Sequence, residues 1–142
     1  NRAEATAETI IDGWLRTGDM ARIDSDDFIY IVDRIKDMVL RGGENIFCAE
    51  VESALFEHSD VAECTVFGVA DDRLGEEVGA AIYAKPGSAL AAAALREHCM
   101  QLIAPFKVPR YIWFMDEALP RNASGKFLKR ELRESLDPAK AS

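Results

Sequence analysis

The sequence predicts an α+β fold: a small sheet of about three strands packed with helices and preceded by a short hairpin. Three observations lead there. Runs rich in β-branched and aromatic residues, such as 28–32, 61–69 and 78–84, recur between clusters of turn-forming residues. Apolar spacing changes to a helical period over 48–57 and 91–103. Strands and helices interleave, yet the strands are too short and too few for a doubly wound parallel sheet.

Ile10, Ile11, Trp14 and Leu15 form an apolar patch before the turn at Thr17-Gly18-Asp19, and residues 1–18 lack a face on which a chain end docks by itself. Residues 20–23 and 28–32 read as strands joined by the polar cluster 24–27. A charged break covers 33–37, and a short strand over 38–41 ends at Gly42-Gly43. In the helix predicted over 48–57, Val51, Leu55 and His58 share a face, while Glu50 and Glu52 suit the positive amino-terminal end. Strands follow over 61–69 and 78–84, linked by 70–76, with a turn at Pro86-Gly87. The helix over 91–103 aligns Leu95, Cys99 and Leu102 and stops before Pro105, because the residue preceding a proline resists helical geometry. A third strand spans 111–115, and Leu128, Leu132 and Leu136 mark a final short helix.

Composition narrows the function classes. With 49% hydrophobic and 30% charged residues among 142, the chain has material for a core and is unlike a disordered segment. Seventeen basic against 25 acidic residues give a net charge of -8, which argues against a nucleic-acid binder. Any bound anion must then be held by a local basic group. Cys48, Cys64 and Cys99 form no CxxC pair, and His58 and His98 do not flank them at ligand spacing. No metal site is therefore expected, and the thiols read as reduced and packed in a cytoplasmic protein. No apolar run reaches the length of a membrane span.

Three segments carry candidate chemistry: Gly13-Trp14-Leu15-Arg16-Thr17-Gly18-Asp19, the stretch 33–46 with Asp33-Arg34-Ile35-Lys36-Asp37 and Arg41-Gly42-Gly43-Glu44-Asn45, and the stretch 119–132 with Leu119-Pro120-Arg121-Asn122-Ala123-Ser124-Gly125-Lys126. An aspartate after Thr-Gly either holds a ribose or caps a turn. Gly42-Gly43 is either a plain hairpin turn or a place of close backbone approach to a ligand. Ser124-Gly125-Lys126 is not a P-loop, since Pro120 stands at the first glycine position and Phe127 replaces the metal-binding Ser/Thr. A lysine after a Ser-Gly turn is either a mobile cation for developing phosphate charge or a solvated residue opening a basic helix with Lys129, Arg130 and Arg133.

In this order and spacing the segments closely resemble the adenylate-forming superfamily, which includes acyl-CoA synthetases, peptide-synthetase adenylation domains and beetle luciferases. The likeness runs through nearly the whole chain, including Ala104-Pro105-Phe106-Lys107-Val108-Pro109-Arg110. It implies that Asp19 and Arg34 contact the ATP and AMP ribose, that Lys36 is a hinge, and that Gly42 and Gly43 line the tunnel for the CoA pantetheine. It implies that Lys126 is the lysine of the adenylation step and, less directly, that Phe106 and Arg110 touch the CoA nucleotide. Lys129 and Arg130, opening the last helix, are expected to face solvent.

The resemblance also implies a boundary. Residues 1–33 correspond to the tail of a large N-terminal domain and 34–142 to a small mobile C-terminal domain. The partner is that large domain, which holds the acid pocket and most contacts to Mg2+ and ATP, so this fragment alone is expected to be inactive. The implied reaction activates a carboxylic acid, as in fatty-acid metabolism, to acyl-AMP and passes the acyl group to CoA. Delivery to a carrier-protein thiol and a non-catalytic binding module of the same fold are the alternatives.

Overall fold

The computed structural model describes residues 2–142. It divides into two compact units, Asn1–Lys36 and Asp37–Ser142. The first contains helix α1 (Ala3–Thr9), the minimal hairpin β1 (Ile10–Ile11) and β2 (Trp14–Leu15), and the antiparallel pair β3 (Asp19–Ile23) and β4 (Ile29–Arg34). Asp24 shapes the β3–β4 turn, its carboxylate accepting from the Asp26 and Phe28 amides at 2.9 and 3.0 Å. Strand β4 runs through Asp33 and Arg34, so the expected charged break is ladder followed by a 3-10 turn, Ile35–Asp37. No described residue of this unit is buried: Trp14, Ile29 and Ile31 are 80%, 67% and 65% exposed. Helix α1 and the first hairpin were not anticipated, because seven and two-plus-two residues carry too short a period to detect.

The second unit holds β5 (Val39–Arg41), β6 (Glu44–Ile46), α2 (Cys48–Phe56), β7 (Val61–Asp71), β8 (Gly75–Ala84), α3 (Ala92–Leu102), β9 (Tyr111–Phe114) and α4 (Lys129–Ser135). The three expected strands are present as β7, β8 and β9, and the β5–β6 hairpin widens the sheet to five. β7 covers one edge of β8 throughout, from Val61↔Ala84 to Asp71↔Gly75. The other edge is shared: Gly75 pairs with Arg41 of β5, and Gly79 to Ile82 run parallel to β9. α3 makes the crossover that a parallel pair requires.

Period-two alternation splits the core between the two faces of this sheet. Val66, Val78, Ala80, Ile82 and Ile112 pack with Val51, Leu55, Leu95 and Cys99 from α2 and α3. Phe67, Val69, Ala81 and Trp113 face the other way and meet Leu119 and, from α4, Leu132. Gly79 lies on that second face, where a Cβ would stand 2.6 Å from Val69 and 2.9 Å from Trp113. The three cysteines are buried thiols.

Candidate functional site

Asp19 and Arg34 open β3 and close β4 as directly opposed partners. Arg34 Nε donates to Asp19 Oδ1 at 3.1 Å, and the guanidinium remains half exposed. The Asp19 amide donates to Thr17 Oγ1 at 3.2 Å, while the Gly18 carbonyl accepts from the Ile35 amide at 2.9 Å. The two residues expected at the ribose are thus brought together, with the second Asp19 oxygen available to a hydroxyl. Lys36 lies in the 3-10 turn beyond, at the last position of the first unit.

In the second unit Gly42 and Gly43 are the two central residues of the β5–β6 hairpin, with φ of +58° and +91°. Positive φ at both positions is the I′ geometry that matches strand twist. The Gly42 amide donates to the Leu74 carbonyl at 2.8 Å, joining this turn to the β7–β8 turn. Beside it, Glu77 is 2% exposed and accepts two bonds from Arg41, at 2.6 and 3.1 Å, and one from Arg110 at 3.3 Å. The paired carboxylate raises the pKa of Arg41 further above its usual value. One buried carboxylate between two guanidiniums leaves net positive charge, and Arg110 is 55% exposed. Phe106 is half-buried against the α2–α3 core; Lys107, next to it, holds both oxygens of Glu50 at 2.7 Å.

Lys126 ends a small hairpin in which Arg121 bridges Phe127. Asn122 Oδ1 accepts from the Ser124 amide, the Ser124 hydroxyl and the Lys126 amide at 3.0, 2.8 and 3.0 Å. Gly125 turns the chain with φ of +80°, which a side chain adopts only with strain. Lys126 is exposed, and no carboxylate among the described residues pairs with its ammonium group. Lys129 is otherwise placed than expected. Its ammonium sits 2.9 Å from Glu52, which also accepts from the Thr65 hydroxyl and the Val66 amide. Burial opposes the Lys129 charge, but Glu52, together with Cys48 and Asp37 nearby, outweighs it and the pKa rises. Arg130 does face solvent, pairing weakly with Glu134 at 3.7 Å.

The Gly42-Gly43 turn and the Lys126 hairpin stand at opposite ends of one sheet. Arg41 pairs with Gly75, whereas the Lys126 hairpin is tied through Arg121 to Glu63, the partner of Tyr83. Eight residues of strand at about 3.3 Å each separate these anchors, roughly 26 Å. Glu52, Glu63 and Glu77 escaped sequence reading because their partners lie far along the chain. Glu63, the one charge inside the apolar run 61–69, was the available signal.

The family description "AMP-binding enzyme C-terminal domain" matches residues 50–126. The 2-succinylbenzoate–CoA ligase of Bacillus cereus is 44% identical over 137 residues, covering 96% of this chain and 28% of the relative. The chain thus spans little more than a quarter of that relative's length. Among solved structures, the o-succinylbenzoate CoA synthetase of Bacillus subtilis, in complex with its acyl-adenylate intermediate, superposes with a TM-score of 0.86 at 38% identity, over 96% of this chain and 28% of that one. A Mycobacterium tuberculosis fatty acyl CoA synthetase gives 0.72 at 41%, over 94% and 26%. The chain belongs to the family of AMP-binding enzyme C-terminal domains.

Proposed function

We propose that this chain is the C-terminal part of an ATP-dependent, AMP-forming acyl-CoA ligase, and that its second unit serves the two half-reactions with opposite ends. The carrying observation is the separation of the Lys126 hairpin from the Gly42-Gly43 turn along one sheet. A rigid body whose two groups are anchored about 26 Å apart along a strand presents one of them at a time to a single reaction centre. In the first orientation Lys126 stabilises charge as the acid's carboxylate attacks the α-phosphate and pyrophosphate leaves. In the second, the Gly42-Gly43 backbone admits the pantetheine, with Phe106 and Arg110 toward the CoA nucleotide, and the CoA thiol displaces AMP. Rotation about Lys36 exchanges the two.

Residues 1–33 serve as the tail of the large N-terminal domain and 34–142 as the small mobile domain. The lack of any buried residue among the described residues of the first unit supports this, since Trp14, Ile29 and Ile31 need a cover. That larger domain supplies the acid pocket and most contacts to Mg2+ and ATP, so the fragment alone is inactive. Asp19, from the tail, and Arg34, paired with it at the first position of the small domain, meet the AMP ribose. The acid belongs to the fatty or aryl class, within fatty-acid metabolism or a related route, and buried, reduced thiols fit a cytoplasmic setting. No described helix is long and apolar enough to cross a membrane.

The test uses full-length enzyme and whichever of octanoate, palmitate, benzoate and 2-succinylbenzoate best drives CoA-dependent AMP release. Lys126→Ala should slow single-turnover acyl-AMP formation on the order of 10²–10³-fold. The same variant, given the matching acyl-AMP and CoA, should form thioester at the wild-type rate. Equal losses in both halves refute the two-ended mechanism. AMP release that requires a carrier-protein thiol instead of CoA reassigns the acceptor, and a full-length protein that forms no adenylate is a binding module.

A further inference from the structure

We propose that Glu63 and Arg121 are positioning residues for Lys126, clamping its hairpin to the sheet. This rests on the adenylation role given to Lys126 above. The Asn122 bonds and the Arg121–Phe127 bridge shape the hairpin, but all of them lie within it. Phe127 also packs against the second core cluster, and the polar tie from the hairpin to the sheet is one guanidinium and one carboxylate. Arg121 donates from Nη1 to the Gly125 carbonyl at 2.9 Å and from Nη2 to Glu63 Oε1 at 3.0 Å. Its planar group lies 4.0 Å from the centre of the Phe127 ring. Glu63 Oε2 accepts from the amide of Leu119 at 2.8 Å, and Leu119 is itself buried.

The carboxylate therefore holds the chain where it enters the hairpin, and the guanidinium holds the residue immediately before Lys126. Glu63 stands on β7 within the main sheet, so the clamp refers the position of Lys126 to the rigid core. Only a fork can span Glu63 and Gly125 at once; a lysine at 121 reaches one of them. The pair is partly exposed, 43% at Arg121 and 21% at Glu63, so it adds little to folding stability. Its effect falls on placement, where an error of about 1 Å in a reacting group costs on the order of 10²-fold in rate.

Arg121→Lys and Glu63→Gln are made in the full-length enzyme and assayed with the same acid and acyl-AMP, beside Lys126→Ala. Both clamp variants should lower kcat of adenylation about tenfold or more, with KM for ATP, the thioester half-reaction and the melting temperature near wild type. Trypsin should also cut after Lys126 several-fold faster in both variants, a readout that needs no acid. Normal adenylation in both variants while Lys126→Ala is impaired overturns the clamp and leaves the role of Lys126 intact. Equal loss in both half-reactions with a lowered melting temperature also overturns it, in favour of a structural role. A harmless Lys126→Ala overturns the reading of Lys126 and the clamp with it.

Discussion

Removing the Glu52 carboxylate should destabilise the second unit far more than removing its lysine partner. Glu52 Oε1 accepts from the Val66 amide at 2.8 Å, from the Thr65 hydroxyl at 3.1 Å and from Lys129 Nζ at 2.9 Å. Val66 and Thr65 are both fully buried, on the strand whose outer edge has no ladder partner. Glu52→Ala strands that amide and hydroxyl, at about 1–3 kcal/mol for each buried unpaired group. Lys129 keeps a quarter of its side chain exposed and can turn to water, so its release adds little. The total is about 3 kcal/mol, which lowers Tm on the order of 12–20 °C for a unit of this size. Lys129→Met leaves Glu52 with its two buried donors and should cost about 1 kcal/mol. The pH dependence separates the two further. The Lys129 pKa is raised on folding, so its stabilisation is complete below the unfolded value of about 10.4 and is lost as pH rises through the folded one. Thermal and urea denaturation of the 142-residue chain, followed by circular dichroism from pH 7 to 11, measures both. A Lys129→Met loss equal to that of Glu52→Ala, or one that grows at high pH, would refute this account.

Lys36→Pro in the full-length enzyme should trap one orientation, keeping acyl-AMP formation and abolishing thioester formation; survival of both half-reactions moves the hinge elsewhere. Gly42→Ala, with φ of +58° and Leu74 only 3.0 Å from the new Cβ, should slow the thioester half and cost about 1–2 kcal/mol of stability. Gly43→Ala meets no atom within 4 Å, but its φ of +91° lies outside the left-handed region open to alanine, so it too should lower the urea midpoint. Burial pushes the Cys99 thiol up to about 11, so iodoacetamide at pH 8 should label it roughly 10²-fold more slowly than an ordinary thiol. Mass spectrometry of the alkylated native chain gives that rate. Residues 37–142 expressed alone should melt cooperatively, since both core clusters lie within them; a transition that requires residues 1–36 would count against this.

Local rules sufficed for most elements. Helix α2 was expected over 48–57 and is Cys48–Phe56; α3 was expected over 91–103 and is Ala92–Leu102. Their apolar period and the proline stop after α3 act within a few residues, and that range is what a sequence displays. The strand ends were less legible: β7 and β8 run on to Asp71 and Gly75, because the ladder continues wherever a partner is available. The three motifs, and with them the candidate residues, were readable as a linear pattern. Their arrangement was not. The pairing of Asp19 with Arg34 needed the β3–β4 register, and the distance between Gly42-Gly43 and Lys126 needed the order of strands in the sheet. Lys129, read as solvated from its place at the start of a charged helix, is instead held by a glutamate 77 positions earlier. Glu63, Glu77 and Arg121 likewise gain their roles from partners brought close by folding. Charge at one position says that a partner is needed; only the packed sheet says which residue supplies it, because desolvation and Coulomb attraction act through space and not along the chain.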